Sequence, residues 1–124
     1  MTISLQSPLG LFAPGFKDLS DHFKTLILDL DAKAPANGFL GASTWSNSSD
    51  RDISSELMNI LYFRSYEQLL TFAHADEHRA VWTWWNRNVG KYKHIAISHE
   101  VYSVPAGNWQ TMYTNSHPSN FGKW

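Results

Sequence analysis

A chain of 124 residues is about the size of one domain, long enough to bury a modest core and too short for two ordinary ones. Ten basic against eleven acidic residues leave a formal charge of −1 and no basic stripe, which removes the electrostatic reason for nucleic acid to bind. Cysteine is absent, which excludes disulfides, thiolate metal sites and thiol nucleophiles; no apolar run nears the roughly 20 residues of a membrane span, and "MTISLQSPLG" lacks a secretory pattern, so a soluble, cytoplasmic chain is expected.

The segment "TISLQ" at 2–6 can supply a short opening strand. From Phe16 to about Ala34, Phe16, Leu19, Phe23, Leu26, Ile27 and Leu30 recur at three- and four-residue spacing and line one side of an amphipathic helix, which Pro35 and Gly38 end. "GFLGASTWSN" and "SSELMNILYFRS", separated by the polar "SSDRD", read as an antiparallel hairpin over 38–64. Ser65 followed by Gln68 is a capping-box signature that opens a helix through Leu69, Leu70 and Phe72. A break is expected around Ala75 and Asp76. The helical pattern then resumes through Val81, Trp85 and Val89, and Gly90 is placed to end it with a left-handed backbone. "HIAISHEVYSV", 94–104, alternates as a last strand.

This order is the βαββαβ pattern of a ferredoxin-like α+β sandwich, occupying the whole of 1–124 as one domain. The hairpin is apolar on both sides: Met58, Ile60 and Tyr62 point one way, Leu57, Leu61 and Phe63 the other. Helices cover one face, and a second copy of the sheet is the simplest cover for the other, so a homodimer is expected. The segment 105–124 carries Trp109, Met112 and Tyr113 and is expected to pack across a groove or a partner as a C-terminal extension.

The stretch "HADEHRAVWTWWNRN", 74–88, concentrates the chemistry. His74 and His78 stand four apart, yet the zinc-protease pattern needs Glu directly after the first histidine and here Ala75 follows, so no metal site is expected. No dinucleotide fingerprint is present either, so neither metal nor flavin is expected to be needed; haem on a single axial histidine has no positive support. His78, Trp82 and Trp85 line one helical stripe. Such a stripe is most simply core, because tryptophan packs first and its N–H needs one partner. The alternative is a pocket wall for a flat organic molecule, favoured by six tryptophans and five tyrosines in so small a chain. Asn59 and Tyr62 on the hairpin and His99 and Glu100 on the last strand are the polar groups that could converge, although adjacent His99 and Glu100 point to opposite faces. Arg64 could close over such a pocket or pair with Glu67 or Asp76. His22 and His94 read as exposed fringe residues.

The stretches "SPLGLFAPGF", "GFLGASTW", "YFRSYEQLLTFAH", "HRAVWTWWNR" and "HEVYSVPAGNWQTMYTNSHP" together resemble fungal and bacterial monooxygenases of the dimeric α+β barrel superfamily, found beside secondary-metabolite pathways. The resemblance implies a homodimer, a pocket between sheet and helices, and cofactor-free or unassigned chemistry on small polyketide-like or aromatic compounds. It highlights Arg64, His74, His78, Trp82, Trp85, His99, Trp109, Tyr113 and His117. Relatives carry a fuller strand, and sometimes a hydrophobic extension, ahead of the stretch matching "SPLG", whereas six residues precede Ser7 here, so a short opening strand or a trimmed form is expected and membrane association is not implied.

The leading expectation is a tailoring enzyme that removes a proton from an enolisable aromatic or polyketide-like molecule, with oxygenation following. His78 is the expected general base, because an imidazole titrates near neutral pH, and Trp82 and Trp85 are expected to hold the planar substrate. His74 and His99 are the reserves for the base. Cyclisation, isomerisation or elimination on the same substrate class, or a non-catalytic metabolite-binding partner, are the alternatives.

Overall fold

The computed structural model describes residues 1–47 and 55–123. Its sheet has the order β2-β3-β1-β4, where β1 is Thr2–Leu5, β2 Phe39–Asn47, β3 Ser55–Phe63 and β4 Ile95–Ser98. All three pairings are antiparallel. Helix α1, Phe16–Ala32, connects β1 to β2, while α2, Tyr66–Ala73, and α3, Asp76–Asn88, connect β3 to β4. This is the ferredoxin-like arrangement expected from the order of elements. The turn expected at 48–52 lies outside the described residues.

The periodicity of α1 is realised in its packing: Phe16, Leu19, Leu26 and Leu30 are buried and Phe23 and Ile27 partly so. With Ile3 and Leu5 of β1, Ile95 of β4, Trp85 of α3 and the following Tyr92, Phe16 and Leu19 form the core between the helices and one sheet face. Gly15, at φ +83°, leads the chain into α1, and a Cβ there would lie 2.6 Å from the Tyr92 ring. Leu57, Asn59, Leu61 and Phe63 share the core-facing side of β3 with Ile3 and Leu5, by register and alternation.

Several boundaries differ from expectation, each for a local reason. The strand expected over 94–104 stops at Ser98, because the β1 ladder offers partners only for 95–98. Gly90 does not adopt a left-handed backbone; α3 ends instead through Asn88, whose side-chain amide donates to the Trp84 carbonyl at 2.8 Å while its own carbonyl accepts from Lys91 and Tyr92. Half of the Ser65–Gln68 capping box forms: the Ser65 hydroxyl accepts from Gln68 N–H at 3.3 Å, but the Gln68 side chain lies over Gly38 rather than turning back.

The opposite face of the sheet carries Met58, Ile60 and Tyr62. The C-terminal extension crosses part of it: Asn120 accepts the Tyr62 hydroxyl at 3.1 Å, and Phe121 meets the Tyr62 ring edge-on at 5.4 Å while stacking on Trp109 at 6.0 Å. Much of 99–119 has no regular secondary structure and is exposed.

Candidate active site

The break between α2 and α3 sets the chemistry of His78. Helix α2 ends at Ala73, with His74 as its C-cap, and α3 begins at Asp76. The last carbonyls of a helix have no partner within it. One of them, Ala73 O, lies 3.0 Å from His78 Nδ1. A carbonyl only accepts, so Nδ1 carries the hydrogen and the neutral ring keeps its lone pair on Nε2. This is how a protein readies an imidazole as a base: one nitrogen is anchored and the other is free to take a proton.

Two aromatic groups and a second imidazole complete the surroundings. Phe72 packs edge-on against His78 at 5.0 Å and continues through Phe63 to Phe39. His99, just past β4, stands 6.4 Å from His78 and 6.3 Å from Trp82 between ring centroids. More than a third of His99 remains accessible, yet the surrounding protein desolvates its ring. That desolvation first, then the terminal ammonium of the chain, then His78, hold its pKa below the usual value. Trp82 is about half exposed, so its indole is available to a ligand.

The sheet beneath links this centre to a cavity. Met1 and Asn59 exchange backbone bonds of 3.0 and 2.8 Å, and Thr44 is the partner of Asn59 on β2. Since Thr2 pairs with Ser98, the row on the helix-covered face runs Thr44, Asn59, Met1, His99. Asn59 and His99 are therefore two strand spacings apart, about 10 Å, on one face. Next to Asn59, under α1, lies a half-open cavity of about 200 Å³ with Ile3, Leu57, Phe16 and Phe23 as apolar walls. Thr44 and Asn59 on the sheet and Ser20 and Lys24 on α1 are its polar positions. Sequence spacing gave no sign that Ser20 and Lys24 belong here, because only the packing of α1 on the sheet brings them to the cavity that Asn59 lines.

The other expected residues do not join. Trp85 is buried in the core and packs beside Trp84, so the stripe His78–Trp82–Trp85 divides into a ligand-accessible turn and a packing turn. Tyr62, Trp109 and Tyr113 are gathered by the C-terminal extension rather than by the His78 centre: Tyr62 points to the far sheet face, and the Tyr113 hydroxyl donates to the Ser119 carbonyl at 2.6 Å. His117 is exposed in the same extension. His74 is exposed at the cap of α2, on the other side of the break from His78. Arg64 is exposed after β3, its N–H donating to the Gly38 carbonyl at 2.9 Å, and neither Glu67 nor Asp76 pairs with it. His94 is no mere fringe residue: its Nε2 donates to the Pro14 carbonyl at 2.9 Å and ties the approach of β4 to the start of α1. Among the described residues no three His, Asp or Glu side chains gather as a metal-holding group.

With this geometry in place, the match to known sequences is informative. Residues 2–121 match the monooxygenase af470-like family. The chain belongs to that family. It is 30% identical over 121 residues to monooxygenase af470 of Aspergillus fumigatus, an alignment covering 98% of this chain and 43% of that protein. The chain thus spans less than half the length of this relative. No solved structure matches it. Among the described residues no helix is long and apolar enough to cross a membrane.

Proposed function

We propose that this family member is a monooxygenase that needs no bound cofactor and acts on an enolisable aromatic or polyketide-like metabolite, with His78 as general base. The carrying observation is the His78 Nδ1–H bond to the freed Ala73 carbonyl, which makes Nε2 the free acceptor of the neutral ring, one helical turn before an accessible indole. His78 Nε2 takes a proton from an activated CH₂, and the carbanion passes an electron to dioxygen. Recombination forms a C–O bond to a peroxide, the imidazolium returns the proton, and loss of water leaves a ketone: one oxygen atom enters the product and the other leaves as water. Trp82 and Phe72 offer flat surfaces on either side of the imidazoles. Histidine suits the step because its pKa near 6.5 lets it accept and return a proton close to neutral pH.

A hydroxyanthrone is the appropriate probe, because its benzylic CH₂ is acidic and its oxidation to a quinone is visible. Purified protein should consume dioxygen and probe in equal amounts, and the product should carry one atom of oxygen from labelled dioxygen. Consumption without dioxygen uptake would transfer the site to cyclisation, isomerisation or elimination. Binding without consumption would make the protein a metabolite-binding partner.

We also infer that the functional unit is a homodimer through the outer sheet face. Trp45 and Met58 are paired across β2 and β3 on that face and remain 51% and 41% exposed beyond the part that Phe121 covers. A second copy presents the same residues and so supplies a matching apolar cover.

A further inference from the structure

Asn59 has an unusual position for an amide: it is only 5% exposed, on the core-facing side of a central strand. Its Oδ1 accepts the Thr44 hydroxyl at 2.9 Å. That bond orients the group, turning Nδ2 away from Thr44, and among the described residues no acceptor meets the Nδ2 hydrogens. The amide nitrogen is not cut off from solvent, so a ligand oxygen arriving in the cavity would replace water as its acceptor. Nor is this amide sealed into the core, because Asn59 lines the cavity under α1. The apolar walls of that cavity suit a ring, and Lys24 on α1 is a cationic residue among those that line it.

We propose that this cavity holds the oxygen-bearing end of a compact aromatic molecule, with Asn59 Nδ2 donating to a carbonyl, carboxylate or enolate oxygen and Lys24 favouring the anionic forms. Thr44 is a positioning residue that keeps the amide turned toward the ligand. The inference deepens the function proposed above and rests on it for the identity of the physiological molecule; ligand binding itself is independent of turnover. Asn59 lies about 10 Å from His99 along one row of the sheet, so the anchored oxygen and the proton-handling imidazoles would meet different parts of a fused-ring substrate.

The test uses 2-naphthoate and its neutral counterpart 2-naphthamide, with affinity from calorimetry and the Asn59 side-chain NH₂ signals from NMR. Naphthoate should bind and move both Asn59 side-chain signals, and Asn59→Leu should weaken it by about tenfold or more, the usual effect of losing a hydrogen bond to a charged group. Lys24→Met should weaken naphthoate by a few-fold and leave naphthamide unchanged. Thr44→Val should weaken both while the far-ultraviolet circular dichroism stays that of the wild type. If Asn59→Leu does not fold, the NMR shifts on the wild type and the Lys24→Met contrast decide alone. His78→Asn should bind naphthoate normally, so loss of turnover in that variant with binding retained separates the two claims. Absence of naphthoate binding at millimolar concentration, or binding that leaves the Asn59 signals unmoved, overturns the proposal.

Discussion

A single hydrogen bond separates two otherwise similar histidines. His78 has its Nδ1 anchored by a backbone carbonyl, while His99 is held by desolvation and by neighbouring positive charge. Replacing His78 with Asn should lower turnover of the hydroxyanthrone by about 10²–10⁴-fold, with ligand affinity changed a few-fold at most, as steady-state kinetics and calorimetry can measure. His99 gives a pH prediction. Its pKa is lowered in the fold, so as pH falls below about 6.5 the unfolded chain takes up a proton that the folded chain resists. That contribution to stability is therefore present above the unfolded value and is lost on acidification through the folded one. NMR titration of the His99 ring should show a midpoint below 6.5, moving upward in His78→Asn because one repelling charge is removed. The two tryptophans should part in the same way. Trp85→Ala should cost about 3–5 kcal/mol in a urea titration, as loss of a core indole does, whereas Trp82→Ala should change stability little and weaken ligand binding first.

At the scale of elements, the α2–α3 break is useful because both of its ends are served. Ser65 caps the start of α2, the Ala73 carbonyl at its end is taken by His78, and Asp76 and Glu77 lie in the first turn of α3 where the helix dipole favours acids. Lys33, just past α1, pairs with Asp29 and also with Glu77, tying the end of α1 to the start of α3. Gly38 is a tight joint. It has φ +72° and faces the Gln68 side chain, whose Oε1 would lie 2.0 Å from an added Cβ. The left-handed backbone alone costs a non-glycine residue about 1–2 kcal/mol. Gly38→Ala should therefore lower stability by at least that amount, read from the denaturant midpoint, and a neutral result would mean that the turn relaxes.

For the whole molecule, the sheet has two unlike faces. One is sealed by α1 and α3 over Ile3, Leu5 and Ile95, while the other is covered in part by Asn120 and Phe121 on Tyr62. Met112 in the extension and Tyr102 just before it stand 86% and 78% exposed, adding apolar surface that an isolated chain would leave in water. Light scattering at micromolar concentration should return twice the mass of the chain, and Trp45→Glu with Met58→Glu should halve it. A wild-type monomer would remove the second copy from that face.

Element types and their order were legible in the sequence, because helix and strand periods are written by local alternation: Phe16, Leu19, Leu26 and Leu30 named the buried side of α1, and Ser65 named the start of α2. The break before Asp76 was legible too, while the nearness of His78 and Trp82 to the His99 ring came with the packing of α3 beside the end of β4. Residues whose roles depend on distant partners were not. Trp85 shares a stripe with Trp82 but meets Ile3, Leu5 and Phe16, and Tyr62 alternates to the face opposite Asn59, where Phe121 arrives from 59 positions away. Spacing along a chain fixes which side of an element a residue occupies. Which other element faces that side, and whether it brings a carbonyl, a cavity or a ring, is decided only when the sheet register and helix packing are set.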